Sequence, residues 1–250
     1  MVNKPERRLI ERYVRDTQRL LVLTPTNALV RAMHSFFHRC IPIWEGYTRE
    51  ALAQLVLSCQ QHSGNPEALV EAFISFVERA TTGFHARYSD VLRREVANRC
   101  RYQRKQKTQA LQEIARKIVE SPDHRGVARA LECLRQLITT SDAFAAIKID
   151  LRREYDEACQ VVHYDNLEDG LVELHLRRSL LRYQPPLKSI CTIHRAKGLE
   201  TDSVLVVPCD VKHFKATDEK RRLLYVAISR ATKSLALVVP ESSPSPLFLV

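Results

Sequence analysis

The chain has 250 residues, 45% hydrophobic and 27% charged, proportions that exclude disorder throughout and leave ample material for a buried core. Lys and Arg number 39 against 29 Asp and Glu, a formal charge of +10 that favours a polyanionic partner without proving one. Seven scattered cysteines without a Cys-x-x-Cys pair, and nine histidines in no metal-binding spacing, argue for reducing surroundings and against a zinc site. No uncharged apolar run approaches the ~20 residues of a membrane helix. The basic N-terminus is followed by no long apolar stretch, so neither a signal peptide nor a membrane span is expected and the protein reads as cytoplasmic.

In chain order, residues 5–18 are charged and read as a leading helix. Arg19-Leu20-Leu21-Val22-Leu23-Thr24-Pro25 reads as a buried strand ended by proline. Thr26 or Asn27 then caps a helix running to about Arg39. Residues 41–45 read as a short strand, and Leu52, Leu55 and Val56 give residues 49–59 a helical spacing. Between residues 67 and 184 the only proline is Pro122 and strand-like alternation is nearly absent. The pattern there predicts helices over 66–80, 86–119 with a break, 126–139, 142–160 and 168–181, with Gly83, Gly126 and Gly170 as breakers. Residues 99–107 are the densest basic segment. Arg101 and Arg104 could hold phosphates there without regard to sequence and Tyr102 could stack a base; the alternative is a solvated helix face.

Pro185-Pro186 marks the return to strand-rich sequence. Residues 187–193 read as a strand running into the polar turn His194-Arg195-Ala196-Lys197-Gly198-Leu199-Glu200. Val204-Leu205-Val206-Val207 is continuously apolar, as in a parallel strand covered on both faces. Thr217 caps a helix with Leu223, Val226 and Ala227 on one face, ending near Ser229-Arg230. Residues 234–239 then read as one more buried strand, stopped by Pro240.

Thr192 to Glu200, TIHRAKGLE, resembles motif V of UvrD/Rep-like superfamily 1 helicases, and Arg221 to Thr232, RRLLYVAISRAT, resembles motif VI. LVLTPTNALVR, ending at Arg31, resembles motif IV. The resemblance covers roughly residues 19–60 and 187–240. It implies an α/β fold: a RecA-like, P-loop NTPase-type domain with a mostly parallel sheet flanked by helices, interrupted by a helical insertion. The expected parts are residues 1–61 as the first piece of the second RecA-like domain, 62–186 as the insertion, and 187–250 as the remainder.

The same resemblance implies the site. Arg31 and Arg230 would approach the γ-phosphate of ATP, although each also reads as an ordinary helix arginine, Arg230 as a cap on the helix end. Gly198, Glu200 and Tyr225 would line the nucleotide, Glu200 by accepting from the ribose, and Thr192 and His194 would couple it to DNA. The family usually has Phe or Tyr after the motif V glutamate, where this chain has Thr201. None of the six glycines is followed by Lys and no two are five apart, so the chain has no phosphate-binding loop. ATP and Mg2+ would therefore be held mainly by a domain absent from this chain. The reading is the C-terminal part of an ATP-dependent DNA helicase, with 3′-to-5′ polarity. Its partners would be single-stranded or partly duplex DNA and the missing N-terminal motor domain. The alternative is a stand-alone, non-catalytic DNA-binding or regulatory module that kept the fold.

Overall fold

The computed structural model describes residues 4–46, 49–180 and 184–248. The chain divides into two compact units, Met1–Thr48 with Gln184–Val250, and Arg49–Tyr183. The first unit opens with α1 (Lys4–Asp16), β1 (Leu20–Thr24) and α2 (Asn27–Phe36). Thr26 caps α2, its Oγ1 accepting the Leu29 N–H at 3.3 Å.

The second unit is helical. It holds α3 (Glu50–Gln61), α4 (Pro66–Ala80), β2 (Thr81–Thr82), α5 (Ala86–Ala97), α6 (Gln106–Glu120), α7 (His124–Thr140), β3 (Lys148–Ile149), α8 (Arg152–Gln160) and α9 (Leu167–Leu180). Residue 61 was the expected end of the sheet block, yet α3 belongs with the helices. Its Leu52, Leu55 and Val56 are buried, and the Leu52 N–H donates to the carboxylate of Glu154 on α8 at 2.9 Å. The helix expected over 142–160 is reduced to α8, preceded by a single 3₁₀ turn and by β3, which pairs antiparallel with β2. Phe73, Phe76, Phe144 and Tyr155 fill the core, and the Tyr155 hydroxyl donates to the Leu131 carbonyl at 2.8 Å, satisfying its one polar atom.

The chain then returns to the first unit through β4 (Lys188–Thr192), β5 (Thr201–Val206), α10 (Asp218–Ile228) and β6 (Ala231–Leu237). The four strands form one parallel sheet in the order β4-β1-β5-β6, with Leu20 level with Lys188 on one side and Ser203 on the other. Leu20 to Leu23 and Val204 to Val206 are at most 3% exposed, so the central strands are covered on both faces, as their unbroken apolar runs require. Ile10 and Val14 of α1 and Val30 of α2 pack with Leu20, Val22, Ile190 and Leu205 on one of those faces.

Two sequence expectations change here. The strand expected over 41–45 survives only as a bridge between Ile43 and Ile190, because Pro42 has no N–H to extend the ladder and Gly46 turns away with φ +78°. The last strand was expected to be buried; β6 lies at the sheet edge with Leu235 and Leu237 about 40% exposed. An apolar run reports a strand, but not whether a neighbour follows it.

Cys59, Cys191 and Cys209 are buried, and burial pushes each thiol up to about 12, whereas Cys40 is exposed. A thiol reagent at pH 8 should therefore modify Cys40 within seconds and reach those three only after denaturant is added. Peptide mapping of the labelled native protein checks this; rapid labelling of Cys191 would contradict the packing of β4.

Candidate functional site

The segment after β4 is wound tightly. Its hydrogen bonds run forward from Thr192 and Ile193 through Ala196 to Leu199, and the Thr192 hydroxyl accepts the Arg195 N–H at 3.3 Å. Gly198 closes the turn at φ +84°, a left-handed conformation natural to glycine, with nothing within 4 Å of where a Cβ would sit. The requirement for glycine is thus conformational, and the open space is what a backbone approach to a ligand would need. His194, Lys197 and Glu200 are exposed, whereas Thr192 is 6% exposed. Of the two residues of this turn read as coupling nucleotide to DNA, His194 presents its side chain to solvent, whereas Thr192 shapes the turn.

Because β4 and β5 are parallel, residues 193–200 carry the chain from the C-terminal edge of the sheet back to its N-terminal edge. His194 and Glu200 therefore stand toward opposite edges of the sheet. Helix α10 makes the same journey. Its first turn lies on the His194 side: the Glu219 carboxyl is held below its ordinary value, first by the Lys220 ammonium and in the smallest part by the charge of His194. Its last turn reaches Glu200.

Arg230 joins the two motifs there. Its Nη1 donates to Leu199 O at 2.8 Å, its Nε to Val226 O at 3.0 Å and its Nη2 to Ser229 Oγ at 2.9 Å, while its own carbonyl accepts the Thr201 N–H at 2.9 Å. Both backbone neighbours of Glu200 are thus tied to one arginine. A shallow cleft of about 30 Å³, room for about one water, runs beside Glu200 between Arg19, Leu187 and Thr201. Tyr225 is 69% exposed on α10, one turn before Arg230.

Arg31 is half-buried in the second turn of α2. Helix α2 packs on β4 and β1, and α10 on β5 and β6, so Arg31 and Arg230 sit over opposite halves of the sheet. The structure brings Gly198, Glu200 and Arg230 together and leaves Arg31 apart from them.

In the helical unit, Arg101, Tyr102 and Arg104 occupy the loop between α5 and α6. Arg101 and Tyr102 are exposed, but the Arg104 Nε donates to Glu95, whose side chain is 0% exposed, at 2.7 Å. Glu95 and its second partner Gln112 escaped sequence reasoning, as did Ser229. The signal for Glu95 was present: an acidic residue on the face that Leu92 and Val96 mark as the core side of α5.

Among the described residues no group of three His, Cys, Asp or Glu is placed to hold a metal ion, and no helix is long and apolar enough to cross a membrane. No curated protein matches the chain. Residues 189–238, which hold nearly all of β4, the wound turn, β5, α10 and β6, match the family model of the UvrD-like helicase C-terminal domain.

Proposed function

We propose that this chain is the second motor half of an ATP-dependent DNA helicase of 3′-to-5′ polarity. The observation that carries the reading is the clamp that Arg230 makes between the end of α10 and the turn holding Gly198 and Glu200. A guanidinium has five N–H groups, and Arg230 commits three of them to Leu199, Val226 and Ser229. Two remain, fixed in direction by the other three. That is how a donor serves a charge that grows during phosphoryl transfer: it is oriented beforehand and needs no reorganisation.

The residues fit one side of a nucleotide. The exposed Glu200 carboxylate would accept from ribose hydroxyls, Gly198 would let the backbone come close, and Tyr225 would lie alongside. ATP, when bound, supplies the transferable phosphoryl group; the P-loop and the carboxylates for Mg2+ would come from a companion motor domain. Arg31 would act from α2. His194, at the far edge of the same turn, would meet single-stranded DNA, so a change at one end of residues 193–200 would be felt at the other. Thr192 would serve the same end by shaping the turn.

The test is reconstitution. The purified chain alone should hydrolyse ATP no faster than background, and mixing it with the P-loop domain of a UvrD-like helicase should give DNA-stimulated turnover. Turnover by the chain alone that vanishes in Arg230→Ala would mean a complete site lies within it and would overturn the reading. Nucleic-acid binding without any turnover in the mixture would point to a non-catalytic module.

A further inference from the structure

Residues 98–105, between α5 and α6, form a loop braced from beneath by a carboxylate with no access to solvent. Glu95 Oε1 accepts from Arg104 Nε at 2.7 Å and Oε2 from Gln112 Nε2 at 2.8 Å, and the same Gln112 amide donates to the Tyr102 carbonyl at 2.6 Å. A buried carboxylate persists only when satisfied in this way, so the loop and the core hold each other in place. Arg99 and Cys100 take φ of 50° and 53°, left-handed values uncommon outside glycine, so the chain is kept in a shape that it does not favour by itself.

The brace turns one set of side chains outward. Arg99, Arg101 and Lys105 are exposed, and the Tyr102 ring is 60% exposed with the Arg104 guanidinium 5.7 Å from its centroid. Glu113, an acidic group on the neighbouring face of α6, is paired with Arg116 at 2.7 Å. The segment is therefore a braced loop and not the solvated helix face that its composition also allowed.

We propose that residues 99–105 are a contact for single-stranded nucleic acid, with Tyr102 stacked on a base and Arg99, Arg101 and Lys105 on the flanking phosphates. Arg104 and Glu95 are positioning residues. A cationic loop with one exposed ring at its centre suits a strand whose bases are unstacked, whereas a duplex hides its base faces. Recognition would be blind to sequence and sensitive to salt. The assignment uses the helical unit alone and is independent of the nucleotide chemistry proposed for the sheet.

The experiment is fluorescence anisotropy of a labelled oligo(dT) of about 15 nucleotides, a length typical of sequence-blind sites, titrated with the full chain in the absence of ATP at several salt concentrations. Tyr102→Ala should weaken binding about tenfold and Tyr102→Phe should leave it within about twofold, since the ring and not the hydroxyl stacks. Arg101→Ala should lower the slope of log affinity against log salt by about 0.7, one phosphate contact on a single strand. Glu95→Gln, checked for folding by circular dichroism, should weaken binding without touching the ligand. Parental affinity in both Tyr102→Ala and Arg101→Ala would overturn the proposal. So would equal competition by a blunt duplex, or binding lost in His194→Ala but kept in Tyr102→Ala.

Discussion

Arg230→Ala, assayed with the companion P-loop domain, is expected to lower the DNA-stimulated turnover number by about 10³ or more, the range in which an arginine acting on a transferring phosphoryl group is worth its largest effect. The clamp adds a second expectation. Removing the side chain deletes the bonds to Leu199 and Val226, so Glu200 loses one of the supports that set its direction, and KM should rise as well. Ser229→Ala separates the two effects: it removes one anchor of the guanidinium and leaves the other two, so turnover should fall only a few-fold with KM unchanged. Arg230→Lys should not rescue, because one ammonium cannot hold two carbonyls and still present a fork of donors. If Arg230 served only as a helix-end cap, Arg230→Ala would cost stability of about 1 kcal/mol and leave the turnover number within a few-fold. Kinetics measured beside thermal melts on the same preparations decide between the roles.

The residues that brought Glu200 and Arg230 to one edge were legible because parallel topology converts sequence order into spatial order. A strand ending at Thr192 and a strand beginning at Thr201 must be joined across the height of the sheet, and α10 must come back the same way. The sheet itself was legible for a similar reason: Leu20 to Leu23 and Val204 to Val207 are apolar without interruption, which only a strand covered on both faces tolerates. The exposure of β6 was not, since an edge differs from a centre only by what lies beside it. The brace under residues 98–105 also stayed hidden. It depends on Glu95, Arg104 and Gln112 meeting across two helices and a loop, and charge counting sees only that arginines are numerous there. Arg104 consequently read as a ligand contact when its guanidinium holds the loop.

Glycines were the least legible of all, and Gly126 provides the second large effect. From sequence it reads as a helix breaker, and substituting Ala for Gly within a helix ordinarily gains up to about 1 kcal/mol. In the structure Gly126 lies inside the first turn of α7, where its N–H donates to the capping Asp123 carboxylate at 3.1 Å. An added Cβ would stand 1.9 Å from the Ser121 carbonyl oxygen and 2.6 Å from that of Lys117, both backbone atoms at the end of α6. Neither can swing aside as a side chain could. The end of α6 would have to move away from α7, opening a contact in which Ile114, Ala115, Ile118, Val127 and Leu131 are at most 1% exposed. Gly126→Ala is therefore expected to destabilise the protein by about 3 kcal/mol, the upper part of the range for overpacking, and to lower the melting temperature by roughly 10 °C. Gly64→Ala is the matched control: Gly64 has φ +87° but nothing within 4 Å of the added carbon, so only the conformational cost of about 1 kcal/mol applies. Thermal unfolding followed by circular dichroism at 222 nm should rank Gly126→Ala well below Gly64→Ala. The reverse order, or a Gly126→Ala protein more stable than the parent, would mean that α6 and α7 cross less closely than described.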